Sequence, residues 1–100
     1  MKKYVSINAD KMRNLRYTFN SLMVLEEHLD RPISQLGDGI KFKDIGVLVW
    51  AGLLHEEPTL TLSGTGAIID AVLENEGIQS LMEKVGQAIE CAFGNSKEKK

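Results

Sequence analysis

The chain is 100 residues long, and its 12 basic and 14 acidic residues give a formal net charge of −2. This length predicts one small domain with a single hydrophobic core. No apolar run approaches the roughly 18 residues that a membrane-spanning helix needs, so we expect a soluble protein without a membrane partner. Cys91 is the only cysteine, which excludes an internal disulfide and is typical of a reducing compartment such as the cytoplasm.

Charge is distributed unevenly along the chain. Residues 4–50 carry six acidic and six basic residues, whereas residues 51–96 carry seven acidic residues and one lysine, a net charge of −6. Nucleic-acid binding normally needs a basic face that neutralises phosphates. Because neither half provides such a face, we expect no nucleic-acid partner, and the hypothesis of a small DNA-binding regulator is disfavoured.

A β-hairpin is predicted over about residues 4–19. Tyr4, Val5 and Ile7 favour a strand, residues 8–11 contain the Asn and Asp of a turn, and residues 15–19 favour a second strand. An isolated hairpin is marginally stable in water, so we expect this one to pack on the rest of the protein.

Apolar residues then recur at helical spacing and predict a first helix over about residues 20–30. Pro32 ends this helix, because the residue before a proline is pushed out of the α region. The next stretch, residues 33–42, contains two glycines one residue apart and is predicted to be a loop.

A second helix is predicted over about residues 43–56, with Asp44 in its first turn, where a carboxylate favours the helix dipole. Val47, Trp50 and Leu54 lie about 140 to 200° from Ile45 around this helix, opposite its main apolar stripe. A helix that is apolar nearly all round is either the buried centre of the fold or has one face against a partner. The sequence leaves both alternatives open, and Val47, Trp50 and Leu54 are the candidate partner-binding residues.

Two more helices are predicted, over about residues 62–74 and 78–93. Thr61 is the expected N-cap of the third helix, although Gly64 and Gly66 loosen its first turn at roughly 1 kcal/mol each. The fourth helix is predicted to be amphipathic, and residues 95–100 are expected to form a disordered charged tail. The sequence therefore predicts an α+β, mostly helical fold, with an N-terminal β-hairpin packed on a small bundle of about four helices in a single domain, residues 1–94.

Residues that could carry catalysis have simpler explanations. Cys91 lies on the polar side of the last helix, with no histidine near it in sequence. His55, Glu56 and Glu57 resemble a fragment of a metal site, but His28 belongs to another helix and no His-x-x-x-His spacing is present. A histidine near the end of a helix is favourable to the helix dipole without any metal. We expect a protein that is not an enzyme, with no catalytic residue, no metal and no cofactor.

The most specific pattern is the segment 48–55, LVWAGLLH, followed by Pro58, Leu60 and Thr61. It is similar to the pattern LLWAGL-H-P-LT of the small tail assembly chaperones of long-tailed phages and prophages, and of the related gene transfer agent tail proteins. The Leu-Glu-Glu of the first helix also fits, and the resemblance covers roughly residues 4–93. Gly64 departs from the family, which commonly has an acidic residue there.

The resemblance implies a non-catalytic protein of the bacterial host cytoplasm that binds the tape measure protein and keeps it soluble during tail morphogenesis. Further implied partners are the tail tube protein and a second copy of the chain, and the protein would be scarce in the mature virion. A structural component of the tail, in the tube or at a joint, is the alternative. A chaperone of this kind needs an exposed apolar surface and charge elsewhere to stay soluble. The apolar surface is predicted to consist of Val47, Trp50 and Leu54. The charge is predicted to come from the acidic half, residues 51–96.

Overall fold

The computed structural model describes residues 4–29 and 41–93. Within them, an antiparallel two-stranded hairpin is followed by helices, which confirms the predicted α+β, mostly helical fold. The loop predicted after Pro32 and the tail predicted at 95–100 lie outside the described residues. The elements, in chain order, are β1 (Val5–Asn8), β2 (Met12–Leu15), α1 (Phe19–His28), α2 (Phe42–Leu53), α3 (Leu62–Asn75) and α4 (Ile78–Phe93).

The hairpin is shorter than predicted, and the placement of its second strand at residues 15–19 was wrong. In the antiparallel register Val5 lies opposite Leu15, so β2 ends where the second strand was expected to begin. The helix starts early because the Thr18 hydroxyl accepts a hydrogen bond from the Ser21 amide, at 3.2 Å. This N-cap satisfies an amide that the first turn leaves unpaired, and it places Phe19 in α1 rather than in a strand.

Local hydrogen bonds and backbone conformation also decide where other helices begin and end. Thr61 is the N-cap of α3, as predicted, because its Oγ1 accepts a hydrogen bond from the Gly64 amide at 3.0 Å. The second helix ends at Leu53, three residues before the predicted end, where the amides of Glu56 and Glu57 both donate to the Leu53 carbonyl. Gly77 lies between α3 and α4 with a φ of +91°, a backbone conformation that favours glycine.

Helix α2 is the centre of the fold, and it contacts β2 and the other three helices. Its side chains are buried on nearly every side, which explains why its sequence is apolar nearly all round. The other helices each add one buried stripe, such as Ile68 and Val72 of α3 and Leu81 of α4. The buried apolar residues of α2 are Ile45, Val47, Leu48, Val49, Ala51 and Leu53.

At Gly52, α2 closely approaches the chain that leaves the hairpin. A Cβ atom on Gly52 would lie 2.9 Å from Leu15 Cδ2 and 2.9 Å from the Tyr17 ring. The Arg16 amide donates to the Gly52 carbonyl at 2.9 Å, and the buried Tyr17 hydroxyl donates to the Leu48 carbonyl at 2.6 Å. Burial raises the pKa of Tyr17 well above its ordinary value. Only a residue without a side chain allows these contacts.

Side chains that follow α2 bind the hairpin on the β2 side. His55 Nε2 lies 2.7 Å from the Asn14 carbonyl oxygen, which can only accept a hydrogen bond. Arg13 is buried and forms ion pairs at 2.8 Å with Asp10 of the hairpin turn and with Glu57. The hydrogen bonds from the Arg13 guanidinium lower the pKa of Asp10 to about 2. The turn is thereby joined to the segment that follows α2.

The corner between α3 and α4 binds the hairpin from the β1 side. The Glu76 carboxylate accepts hydrogen bonds from the Asn8 amide at 2.6 Å, from Lys84 at 2.6 Å and from Ser80 at 2.7 Å. The Asn75 side-chain amide donates to the Asn8 carbonyl at 3.1 Å. The hydrogen bonds from Lys84 and Ser80 are the main reason that the pKa of Glu76 is lowered to about 2. Backbone groups of both strands are therefore satisfied from outside the hairpin.

Replacing Gly52 by alanine tests the close approach. The added methyl group would displace Leu15 and Tyr17, so we expect Gly52→Ala to lower the free energy of unfolding by about 2 kcal/mol, measured by urea denaturation. Gly46 is the matched control, because it lies on the same helix and a Cβ atom there would meet nothing within 4 Å. Gly46→Ala should raise stability by roughly 0.5 to 1 kcal/mol. Equal effects of the two substitutions would contradict the packing described.

Acid should destabilise the protein partly through Glu76. Its folded-state pKa of about 2 lies below the ordinary 4.5, so its stabilising effect is complete above pH 4.5 and is lost as pH falls towards 2. Glu76→Gln should therefore cost roughly 2 kcal/mol at neutral pH and make the loss of stability between pH 5 and pH 2 shallower. The exposed Glu83 on α4 provides the control Glu83→Gln. Parallel stability curves for the wild type and Glu76→Gln would contradict this role.

Candidate partner-binding surface

The three predicted partner-binding residues do not share one exposed face. Val47 is 2% exposed and belongs to the core, whereas Trp50 and Leu54 are half-buried. The apolar side chain at position 47 is therefore explained by the position of α2 at the centre of the fold. Partner binding stays a prediction, and of the three residues only Trp50 and Leu54 reach the surface.

Trp50 holds α2 to the segment before α3. Its indole Nε1 donates a hydrogen bond to the Leu60 carbonyl at 2.8 Å. On its other side the ring meets His28 of α1 edge to face, with ring centroids 4.9 Å apart and planes at 71°. A half-buried tryptophan commonly pairs its N–H in this way while its ring fills apolar space. Trp50 thus joins three parts of the fold.

The pattern LVWAGLLH…P-LT describes packing around α2. Trp50 lies in the first part of the pattern and Leu60 in the second. The Trp50 indole N–H donates a hydrogen bond to the Leu60 carbonyl. The missing side chain of Gly52 leaves room for the Tyr17 ring. His55 is hydrogen-bonded to the Asn14 carbonyl, and Thr61 is the N-cap of α3. Each of these residues has a contact inside the protein, so the pattern specifies the fold and need not mark a contact with a partner.

Leu54 borders a groove between α1 and the end of α2. The groove has a volume of about 200 Å³ and is open to solvent. Val24 and Leu54 supply apolar side chains to it, and the remaining lining side chains are polar. A shallow groove of this composition suits one apolar side chain of a partner better than a small-molecule substrate, whose pockets are usually deeper and larger. The lining residues are Thr18, Asn20, Ser21, Val24, Leu54 and His55.

Helix α1 presents an apolar surface that the sequence reasoning missed. Phe19 is 75% exposed and Met23 is 52% exposed, and their spacing of four residues places them on the same face of the helix. Residues 15–19 were assigned to a strand, which hid this spacing. Thr18 could have indicated that the helix begins at Phe19, because threonine is a preferred N-cap residue. Among the described residues, the other large apolar side chains that are exposed are Tyr4, Met12, Phe42, Leu62, Leu73, Ile78 and Met82.

The residues considered for catalysis are dispersed. Cys91 is a half-buried free thiol on α4. His28 Nδ1 lies 3.0 Å from the Val24 carbonyl oxygen, and His55 Nε2 is hydrogen-bonded to the Asn14 carbonyl oxygen. Over residues 4–29 and 41–93, no three His, Cys, Asp or Glu side chains are grouped so that they could hold a metal ion. In the same part of the chain, no helix combines the length and the apolar character needed to cross a membrane.

Comparison of the chain with protein-family models, with curated proteins and with solved structures gave no match. The likeness to tail assembly chaperones therefore depends on the residues of the pattern themselves.

Proposed function

We propose that the protein is a non-catalytic phage tail assembly chaperone, which binds the tape measure protein in the host cytoplasm and keeps it soluble until the tail tube assembles. The observation that carries this proposal is the pattern of residues 48–55 followed by Pro58, Leu60 and Thr61. Its contacts around α2 support the resemblance, because residues that hold a fold together are expected to recur among proteins that share the fold. Trp50 and Gly52 are the clearest cases.

Surface chemistry also supports a binding role. Phe19, Met23 and Phe42 are exposed aromatic or thioether side chains, a type of surface that takes up other apolar chains. Residues 51–96 carry a net charge of −6, which keeps a protein with such a surface dispersed. A chaperone for an aggregation-prone helical partner needs both properties.

The groove beside Leu54 is the proposed contact for a tape measure helix. An amphipathic helix binds a groove through apolar residues spaced three or four apart. One such residue would enter between Val24 and Leu54. Of the three residues predicted from the sequence, Leu54 is the one for which this role is retained.

Co-expression with the tape measure protein of the same phage tests the proposal. We expect the wild-type chain to raise the soluble fraction of that protein and to co-purify with it. Leu54→Ser should reduce this effect at least about threefold, because it removes apolar contact area from the groove. Leu73 on α3 also has a partly exposed side chain, 38%, so Leu73→Ser is the matched control and should retain activity.

Absence of any gain in solubility with the wild-type chain would contradict the proposal. Mass spectrometry of purified particles distinguishes the alternative of a structural tail component, in the tube or at a joint. A chaperone should be scarce in particles, whereas a structural subunit should be present in many copies.

A further inference from the structure

Helix α1 presents two large apolar side chains to solvent, one turn apart. Phe19 is 75% exposed and Met23 is 52% exposed, and residues four positions apart lie on the same face of a helix. The opposite side of α1 packs into the core through Leu25. Neighbouring exposed apolar side chains on one helix are typical of a surface that binds another chain.

Two carboxylates continue the same face towards the end of α1. Glu26 follows Met23 by three residues and Glu27 follows it by four, so both border the apolar pair. Both residues are exposed, and within residues 4–29 and 41–93 neither carboxylate forms an ion pair or a hydrogen bond. Helix α1 itself contains no Lys or Arg. We call Phe19, Met23, Glu26 and Glu27 the α1 face.

The position of these carboxylates is unfavourable to the helix. Glu26 and Glu27 lie in the last turn of α1, beside the negative end of the helix dipole. His28 is in the same turn, but it lies about 140° from Met23 around the helix, and its ring contacts Trp50. A positive charge placed beside the α1 face would therefore relieve a repulsion that the described residues leave in place.

This combination of apolar and acidic side chains selects the chemistry of a partner. Carboxylates repel the phosphates of nucleic acids and of anionic membranes. A helix with apolar residues three or four positions apart, and with Lys or Arg beside them, offers both an apolar contact and the opposite charge. From Phe19 to Glu26 the α1 face is about 10 Å long, which matches two turns of such a helix.

We propose that the α1 face is a docking site for a basic amphipathic helix of a partner protein. The apolar side chains of that helix pack on Phe19 and Met23, and its Lys or Arg side chains pair with Glu26 and Glu27. Residues 51–96 carry a net charge of −6, so the whole chain also attracts a basic partner from a distance. The contact is small, and we expect a dissociation constant of roughly 10 to 100 µM.

The α1 face is separate from the groove beside Leu54. Val24, which lines that groove, lies about 100° from Met23 around α1. The inference therefore does not rest on the proposed function. It is tested with the purified chain and synthetic peptides, whereas the proposed function is tested by co-expression and by Leu54→Ser. Failure of one is thus distinguishable from failure of the other.

Two labelled synthetic peptides test the inference by fluorescence anisotropy. Both are amphipathic, share the same Leu positions and are about 18 residues long, which is enough to form a helix. One peptide carries Lys and the other Glu at the same polar positions. The Lys peptide should bind the wild-type chain roughly tenfold more tightly than the Glu peptide, and high salt should reduce this difference.

Substitutions in the α1 face test which residues bind the Lys peptide. Phe19→Ser should weaken binding roughly tenfold, because it removes the largest exposed apolar side chain of the face. The double variant Glu26→Gln, Glu27→Gln should weaken binding about fivefold. It should also raise the melting temperature by about 1 to 3 °C, because it removes unfavourable charges from the end of α1.

Matched controls lie on the other helices. Leu73→Ser removes a partly exposed apolar side chain from α3, and the double variant Glu83→Gln, Glu90→Gln removes two exposed carboxylates from α4. Both should bind the Lys peptide as the wild type does, and circular dichroism confirms that each variant is folded. Equal binding of the two peptides, binding of neither, full binding by Phe19→Ser, or an equal loss in the two double variants would each overturn the inference.

Discussion

The absence of a side chain at Gly52 is the constraint on which the rest of the structure depends. It lets Leu15 and Tyr17 approach α2 to a distance that a Cβ atom would block. The Tyr17 hydroxyl can then reach the Leu48 carbonyl, and the Arg16 amide can reach the Gly52 carbonyl. A two-stranded hairpin has little stability of its own, so this contact makes it part of the core.

The hairpin is then fixed from two sides by polar side chains. Arg13 and His55 join β2 and the turn to the segment after α2. Glu76, supported by Lys84, holds the Asn8 amide from the corner of α3 and α4. Backbone groups of Asn8 and Asn14, which a short sheet could otherwise leave open to another chain, are therefore occupied. In the described part of the chain, most of the exposed large apolar side chains lie on the helices, as Phe19 and Met23 do on α1.

Much of the fold could be predicted from local sequence signals. The apolar spacing gave α3 and α4 close to their observed bounds, and Thr61 marked an N-cap through its side chain. The second strand was misplaced, because Tyr17 and Phe19 have high strand propensity but serve tertiary contact and helix initiation instead. Propensity is weak where a cap or a packed neighbour decides the conformation.

The candidate site was less predictable, because exposure is a property of the whole fold. Nothing in the residues alone could decide whether Val47 faced solvent or the core of a protein with three other helices around α2. Trp50 looked like an interface anchor, and its contacts with Leu60 and His28 hold the fold together. Conversely, Phe19 was assigned to a hairpin, although it is one of the most exposed apolar residues in the described part of the chain.

The pattern around Trp50 builds the fold, and we propose that partners bind on the side of α1 and in the groove at Leu54. Titration of the ¹⁵N-labelled chain with amphipathic helical peptides from the proposed tape measure partner, followed by amide chemical shifts, tests this proposal most directly. The expected result is a set of shift changes concentrated at Asn20, Met23, Val24 and Leu54. Changes confined to α3 and α4, or no change with any peptide, would contradict it.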